Sequence, residues 1–196
     1  YHRGSGNTCS ITHGYCAAHQ NDNPTGYNVD TIEKFPFASS SNATDVGNLH
    51  TGMAGVAGAS TTTHGYAQGG VGPAPPYTKY NNIQRWSFSS DGDAVDVGDM
   101  TVGKGFGHGT MSETYGYSHG GQTASGYAGW GNIIDKFAFG SSANSTDVGD
   151  LLFKVLYMTG HQSSTHGYCS QGMVDNTHPA PIHPPYAFNY ISKYSF

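Results

Sequence analysis

The chain is poor in charge. Asp, Glu, Lys and Arg together make up 11% of its 196 residues, and Lys plus Arg number only eight. With a net charge of −5 there is no basic stripe to neutralise phosphates, so no nucleic-acid partner is expected. Cysteine is scarce as well: Cys9, Cys16 and Cys169, with no C-x-x-C to support a zinc or dithiol site. No apolar run approaches the roughly 20 residues of a membrane helix, so membrane insertion is not expected. Tyr1-His2-Arg3-Gly4 leads straight into patterned sequence, with no signal-peptide pattern visible. There is no H-x-x-x-H, and no carboxylate pair standing apart from the pattern. The chain is therefore expected to be non-enzymatic and to need no cofactor.

What is abundant is glycine, 29 residues, and aromatic side chains, 13% of the total, which can supply a core. They recur with a period. Gly14, Gly65, Gly116 and Gly167 are spaced by 51, as are Ile32, Ile83 and Ile134, and Asp45, Asp96 and Asp147; Ile191 follows after six further residues. Within each period lie four short segments. The first is small and glycine-rich (52–60, 103–111, 152–159), and the second begins at the (His/Tyr)-Gly-Tyr. The third carries Ile-x-(Lys/Arg)-aromatic, and the fourth reads Asp-Val-Gly-(Asp/Asn). Gly, Ser, Asn and Pro punctuate them, which is strand-and-turn chemistry. Four antiparallel strands per roughly 50 residues is the arithmetic of a propeller blade.

The expected fold is all-β: one domain over 1–196 of four blades (about 1–49, 50–100, 101–151 and 152–196). Only three outer segments are present for four of each other kind, so the last blade lacks its outer strand. Its open edge should be covered by a partner, or belong to a longer parent chain. A ring closed within one chain is the first expectation, and half of a larger wheel closed by a second copy is the other.

The strand ending in Gly-Gly (Gly69-Gly70, Gly120-Gly121), the Asn-Ile-x-(Lys/Arg)-aromatic strand and the Val-Gly-Asp-Leu strand resemble, in order, a kelch repeat. The kelch tryptophan is absent, and Asp45-Val46 and its equivalents stand in that region. The stretches "STTHGYAQGG" and "IDKFAFGSSANSTDVGDL" also look like repeats of virion or tail proteins of marine bacteriophages. The resemblances imply a kelch-like propeller and a structural or adhesive role, extracellular or at a virion surface. The expected partners are other proteins or copies of the chain itself.

Candidate residues follow from the pattern. The variable loops between second and third strands carry Tyr27, Tyr77, Tyr80, Tyr127, Trp130, Tyr186 and Tyr190, two of them proline-stiffened. Flat aromatic faces suit a protein partner or sugar rings, so a lectin-like propeller is the alternative function; packing at the blade ends explains them equally well. Lys34 with Asp45, Arg85 with Asp96, and Lys136 with Asp147, each 11 apart, are expected to bridge neighbouring strands within a blade. His13, His64, Tyr115 and His166 share one repeat position. They are expected to pack a turn, with convergence on a metal, as in a kelch-type copper oxidase, the weaker alternative. Cys9 and Cys16 could pair across a hairpin or remain free thiols. Asn42 and Asn144 begin N-x-[ST] sequons, but Asp93 at the middle position points to a turn role instead.

Overall fold

The computed structural model describes residues 6–19, 29–73, 76–124, 129–170, 172–174 and 190–196. The first blade contains β1 (Gly6–Cys9), β2 (His13–Ala17), β3 (Thr31–Pro36) and β4 (Thr44–Asn48). The second contains β5 (Ala57–Ser60), β6 (His64–Val71), β7 (Lys79–Ser87) and β8 (Val95–Asp99). The third contains β9 (His108–Met111), β10 (Tyr115–His119), β11 (Ile133–Ala138) and β12 (Thr146–Asp150). Each is an antiparallel meander in chain order. The fourth joins a short ribbon, β13 (Val155–Leu156) with β16 (Met173–Val174), to a sheet of β14 (Thr159–Gln162), β15 (His166–Ser170) and β17 (Ile191–Ser195). The sheets are arranged as a four-bladed β-propeller whose last blade lacks an outer strand among the described residues.

Local chemistry explains the meander. In each first turn a hydroxyl closes the hairpin: Ser10 Oγ accepts from the amides of Thr12 (3.3 Å) and His13 (3.0 Å), and Thr61 Oγ1 from those of Thr63 (3.2 Å) and His64 (3.0 Å). Ser112 and Ser163 repeat the device. Such side-chain bonds favour turns over continued strand. At the outer strand, Asp45 Oδ1 accepts from the Gly47 amide, Asp96 from Gly98 and Asp147 from Gly149, at 3.1, 3.1 and 2.9 Å.

Inner strands pack in succession: β1 on β5, β5 on β9, and β9 on β14. Glycine permits this approach. A Cβ on Gly58 would sit 2.7 Å from the Asn7 carbonyl oxygen, one on Gly160 2.6 Å from that of Gly109, and one on Gly109 would overlap the Gly58 carbonyl. Among the described residues, β14 and β1 share no comparable packing.

The core is divided among the seams. Tyr15, Ile32, Leu49, Met53 and Trp86 fill the first, and Tyr66, Ile83, Met100, Phe137 and Phe139 the second. Tyr117, Ile134, Leu151, Met158 and Cys169 fill the third. β11 shows why its sequence is bulky on both faces: Phe137 points into the second seam and Ile134 into the third.

Of the two readings of Cys9 and Cys16, the disulfide is the one the structure does not form. Cys9 is a free, exposed thiol. It pairs with Gly14, while Cys16 pairs with Asn7, so the two cysteines are diagonal neighbours, beyond the Cβ separation of a disulfide. The sequon position has a backbone role. Asp93 Oδ1 accepts from the Asn48 amide (2.9 Å) and Asn144 Oδ1 from the Asp99 amide (3.0 Å), each reaching back to the preceding blade's outer strand. Asn42 is exposed at the same position of the first blade.

Candidate functional site

The loop from β6 to β7 is described on either side of residues 74 and 75. Tyr77 stands out there. It is exposed, and its φ of 54° lies in the left-handed region that non-glycine residues avoid. Lys79 Nζ donates to its carbonyl at 3.0 Å. Beside it runs a groove of about 400 Å³ bounded by Pro76, Tyr77, Lys79, Val102 and Thr123. An exposed aromatic ring, a cation and a hydroxyl at one groove can hold a polyhydroxylated or peptide surface by stacking and hydrogen bonds.

The other loop aromatics divide. Tyr27, Tyr127 and Tyr186 lie outside the described residues. Tyr190 is exposed, with its ring 5.4 Å from that of Phe153. Tyr80 is half-buried against the first core. Trp130 corrects the expectation: it is only 7% exposed and packs with Val71, Phe106 and Leu156, so it is core and not contact surface.

The within-blade ion pairs are also corrected. Register places Lys34 opposite Thr44, and Glu33 opposite Asp45; likewise Arg85 faces Val95 and Lys136 faces Thr146. Offset by one residue, each cation and its expected carboxylate point to opposite faces of the sheet. Lys34 instead bridges to Asp91 of the next blade at 2.6 Å, an exposed pair worth at most about 1 kcal/mol. Lys136 sits over the Tyr115 ring, 4.8 Å from its centroid. Asp96 Oδ2 accepts from Asn82.

The repeat histidines stay local. The Nδ1 atoms of His13, His64 and His166 each lie within 2.9 Å of the hydroxyl of the preceding threonine, and Tyr115 occupies the fourth position under Lys136. The described residues bring no three His, Cys, Asp or Glu side chains together as a metal site.

Two polar groups that break the repeat were missed. Lys104 and Asp135 form an ion pair at 2.9 Å with side chains 2% and 1% exposed. Lys104 Nζ also donates to the carbonyls of Ser118 (3.1 Å) and Ile133 (3.4 Å). Asp135 Oδ1 accepts from the Thr101 amide (3.2 Å), the Thr101 hydroxyl (2.6 Å) and the Ser145 hydroxyl (2.9 Å). Burial pushes the carboxyl pKa up, but Lys104 and these bonds outweigh it and hold it below the usual range. Burial also lowers the Lys104 pKa, against the pull of Asp135. The signal in the sequence was a mismatch: the positions equivalent to Lys104 are Met53 and Val155, and the position equivalent to Asp135 in the second blade is Gln84.

The second is His119, fully buried in the third seam. Its Nδ1 lies 3.3 Å from both Cys169 Sγ and Met158 Sδ. Burial, with His108 and Lys104 nearby, holds its pKa well below the ordinary value. The same burial pushes the Cys169 thiol up to about 12, so it is protonated and unsuited to nucleophilic chemistry. A pH dependence follows. Below the ordinary histidine value of 6.5 the unfolded chain takes up a proton that the folded seam refuses. Stability should therefore fall as the pH drops, by up to about 1.4 kcal/mol per unit for this one group, until the depressed folded pKa is reached. Thermal unfolding at about pH 7.5 and about pH 5.5 should show the lower Tm at the lower pH, and His119→Gln should flatten the dependence. An unchanged slope in that variant would exclude His119 as the source.

Set against known proteins, the chain matches no family model, and no curated protein matches it.

Proposed function

We propose that this chain is a non-enzymatic structural or adhesive module at a virion or cell surface, contacting partners through its loop end and its uncovered blade surfaces. The observation that carries the reading is Tyr77: an exposed ring held in a strained backbone conformation over a groove of about 400 Å³. Strain of this kind costs about 1–2 kcal/mol and persists where surrounding structure enforces it. The kelch-like and phage-like texture of the repeats agrees with a scaffold that displays variable loops. The same groove supports the lectin-like alternative, since tyrosine beside hydroxyl donors is a sugar-stacking arrangement.

Retention of the chain on a glycan array and on mucin- and protein-coated surfaces tests the reading. Saturable retention that Tyr77→Ala weakens about tenfold is expected, with the far-UV spectrum unchanged. Retention on glycans alone favours the lectin-like alternative. Failure of the folded chain to bind any surface, or indifference to Tyr77→Ala, counts against the groove as the site.

A further inference from the structure

We infer that the outer face of the first blade docks on the outer face of the fourth blade of a second copy, so that the chain assembles head to tail. This rests on the reading of the protein as a surface assembly module, and it names the partner and the contact. The three internal seams share one construction. A tyrosine on the second strand of each blade is roofed by two aromatics from the third-strand segment of the next. Tyr15 packs with Trp86 and stacks on Phe88 at 4.4 Å. Tyr66 meets Phe137 (5.4 Å) and Phe139 (4.9 Å), and Tyr117 meets Tyr194 (5.7 Å) and Phe196 (4.9 Å). Tyr15, Tyr66 and Tyr117 are each 2–3% exposed as a result.

The remaining faces carry the two halves of the same seam. The first blade offers Phe35 and Phe37, 39% and 56% exposed, where the other blades have their roofing pairs. The fourth offers Tyr168, half-buried, with His166 as its ring neighbour and no roofing pair among the described residues. Phe35 is already posed for the contact. Its ring lies over Gly14 as Trp86 lies over Gly65, Phe137 over Gly116 and Tyr194 over Gly167. Docking it orders little, which favours binding.

The occupant is a second copy rather than the same chain's own fourth blade, and Asn7 decides this. In all three internal seams the incoming inner strand presents glycine where a Cβ would strike the neighbour's backbone: Gly58, Gly109 and Gly160. The first blade has Asn7 at that position. A four-bladed ring must bring its fourth pair of inner strands as close as the other three, and a side chain there holds them apart. Two separate molecules are free to meet at a wider angle, with the aromatic halves engaged and the inner edges splayed. Because the surfaces are different, the contact is heterologous and extends unless its rotation happens to close.

Sedimentation velocity on a dilution series of the full chain tests this. The weight-average mass should rise with concentration from the 20.7 kDa of one chain to beyond twice that value. Phe37→Asp and Tyr168→Asp should each weaken the association by about thirtyfold or more, the loss expected at a central aromatic contact. Mixed together they should pair once and stop at a dimer, since each retains the face the other lacks. Near-native circular dichroism and Tm establish that both variants fold. A wild-type chain that stays monomeric throughout, or folded variants whose mixture fails to pair, overturns the inference. Neither result bears on surface retention through Tyr77, which lies on the second blade's loop, so the two failures are distinguishable.

Discussion

Replacing Lys104 with methionine is expected to destabilise the fold by about 3–5 kcal/mol, the cost of leaving a buried charge without its partner. For a chain of this length that is a fall in Tm of roughly 6–20 °C. Asp135 would keep its bonds from Thr101 and Ser145 but lose the ammonium 2.9 Å away. The repeat supplies its own control. In the second blade the equivalent positions are Met53 and Gln84, where Gln84 Oε1 accepts from the His50 amide at 2.6 Å and Nε2 lies 3.7 Å from Met53 Sδ. Transplanting that solution, Lys104→Met with Asp135→Gln, should recover all but about 1 kcal/mol, since a neutral pair pays no ionic desolvation. Urea titration of the three proteins decides it. A silent single variant would mean the charge is not buried in solution, and a double variant as unstable as the single would mean the two side chains do not act as a unit.

Tyr117→Ala should cost about 3–5 kcal/mol, as for other fully buried aromatics, whereas Tyr168→Ala at the same repeat position should cost less than about 1 kcal/mol. The difference lies in the covering. Tyr117 is 2% exposed between Tyr194 and Phe196, and Tyr168 has no such roof among the described residues. Thermal melts at low protein concentration, where any association is absent, are the appropriate comparison. Equal losses would show that blade position, and not the neighbouring aromatic pair, sets the stability of each tyrosine.

The period made the scaffold readable. A unit repeated every 51 residues, with one bulky strand of mixed faces and one glycine-rich strand, specifies blades, their number and the order of strands. Register was not readable at the same precision. The 11-residue spacing between Lys34 and Asp45 looked like a bridge, yet the bulge between Ile32 and Glu33 puts Asp45 opposite Glu33. A one-residue shift reverses which face a side chain occupies, and neither composition nor spacing reports a bulge. The cysteine hairpin failed for a related reason, because its turn is closed between Ser10 and His13. Trp130 looked like a loop residue because burial at the end of the propeller depends on Val71 and Leu156 from the neighbouring blades. Lys104 was hidden by the attention that repeats draw to what recurs. The informative positions were those where one copy departed from the rest: lysine for methionine, aspartate for glutamine, asparagine for glycine.

The seams also have a direction in time. The tyrosines of the first three blades are roofed, and the outer strands of the first two are bonded at Asn48 and Asp99, by residues of the blade that follows. On the ribosome a blade therefore waits for its successor, about 51 residues and roughly 3–10 seconds of synthesis, before its core is sealed. Protease resistance of chains arrested at successive blade ends would report that schedule. Folding keeps pace with translation one blade behind.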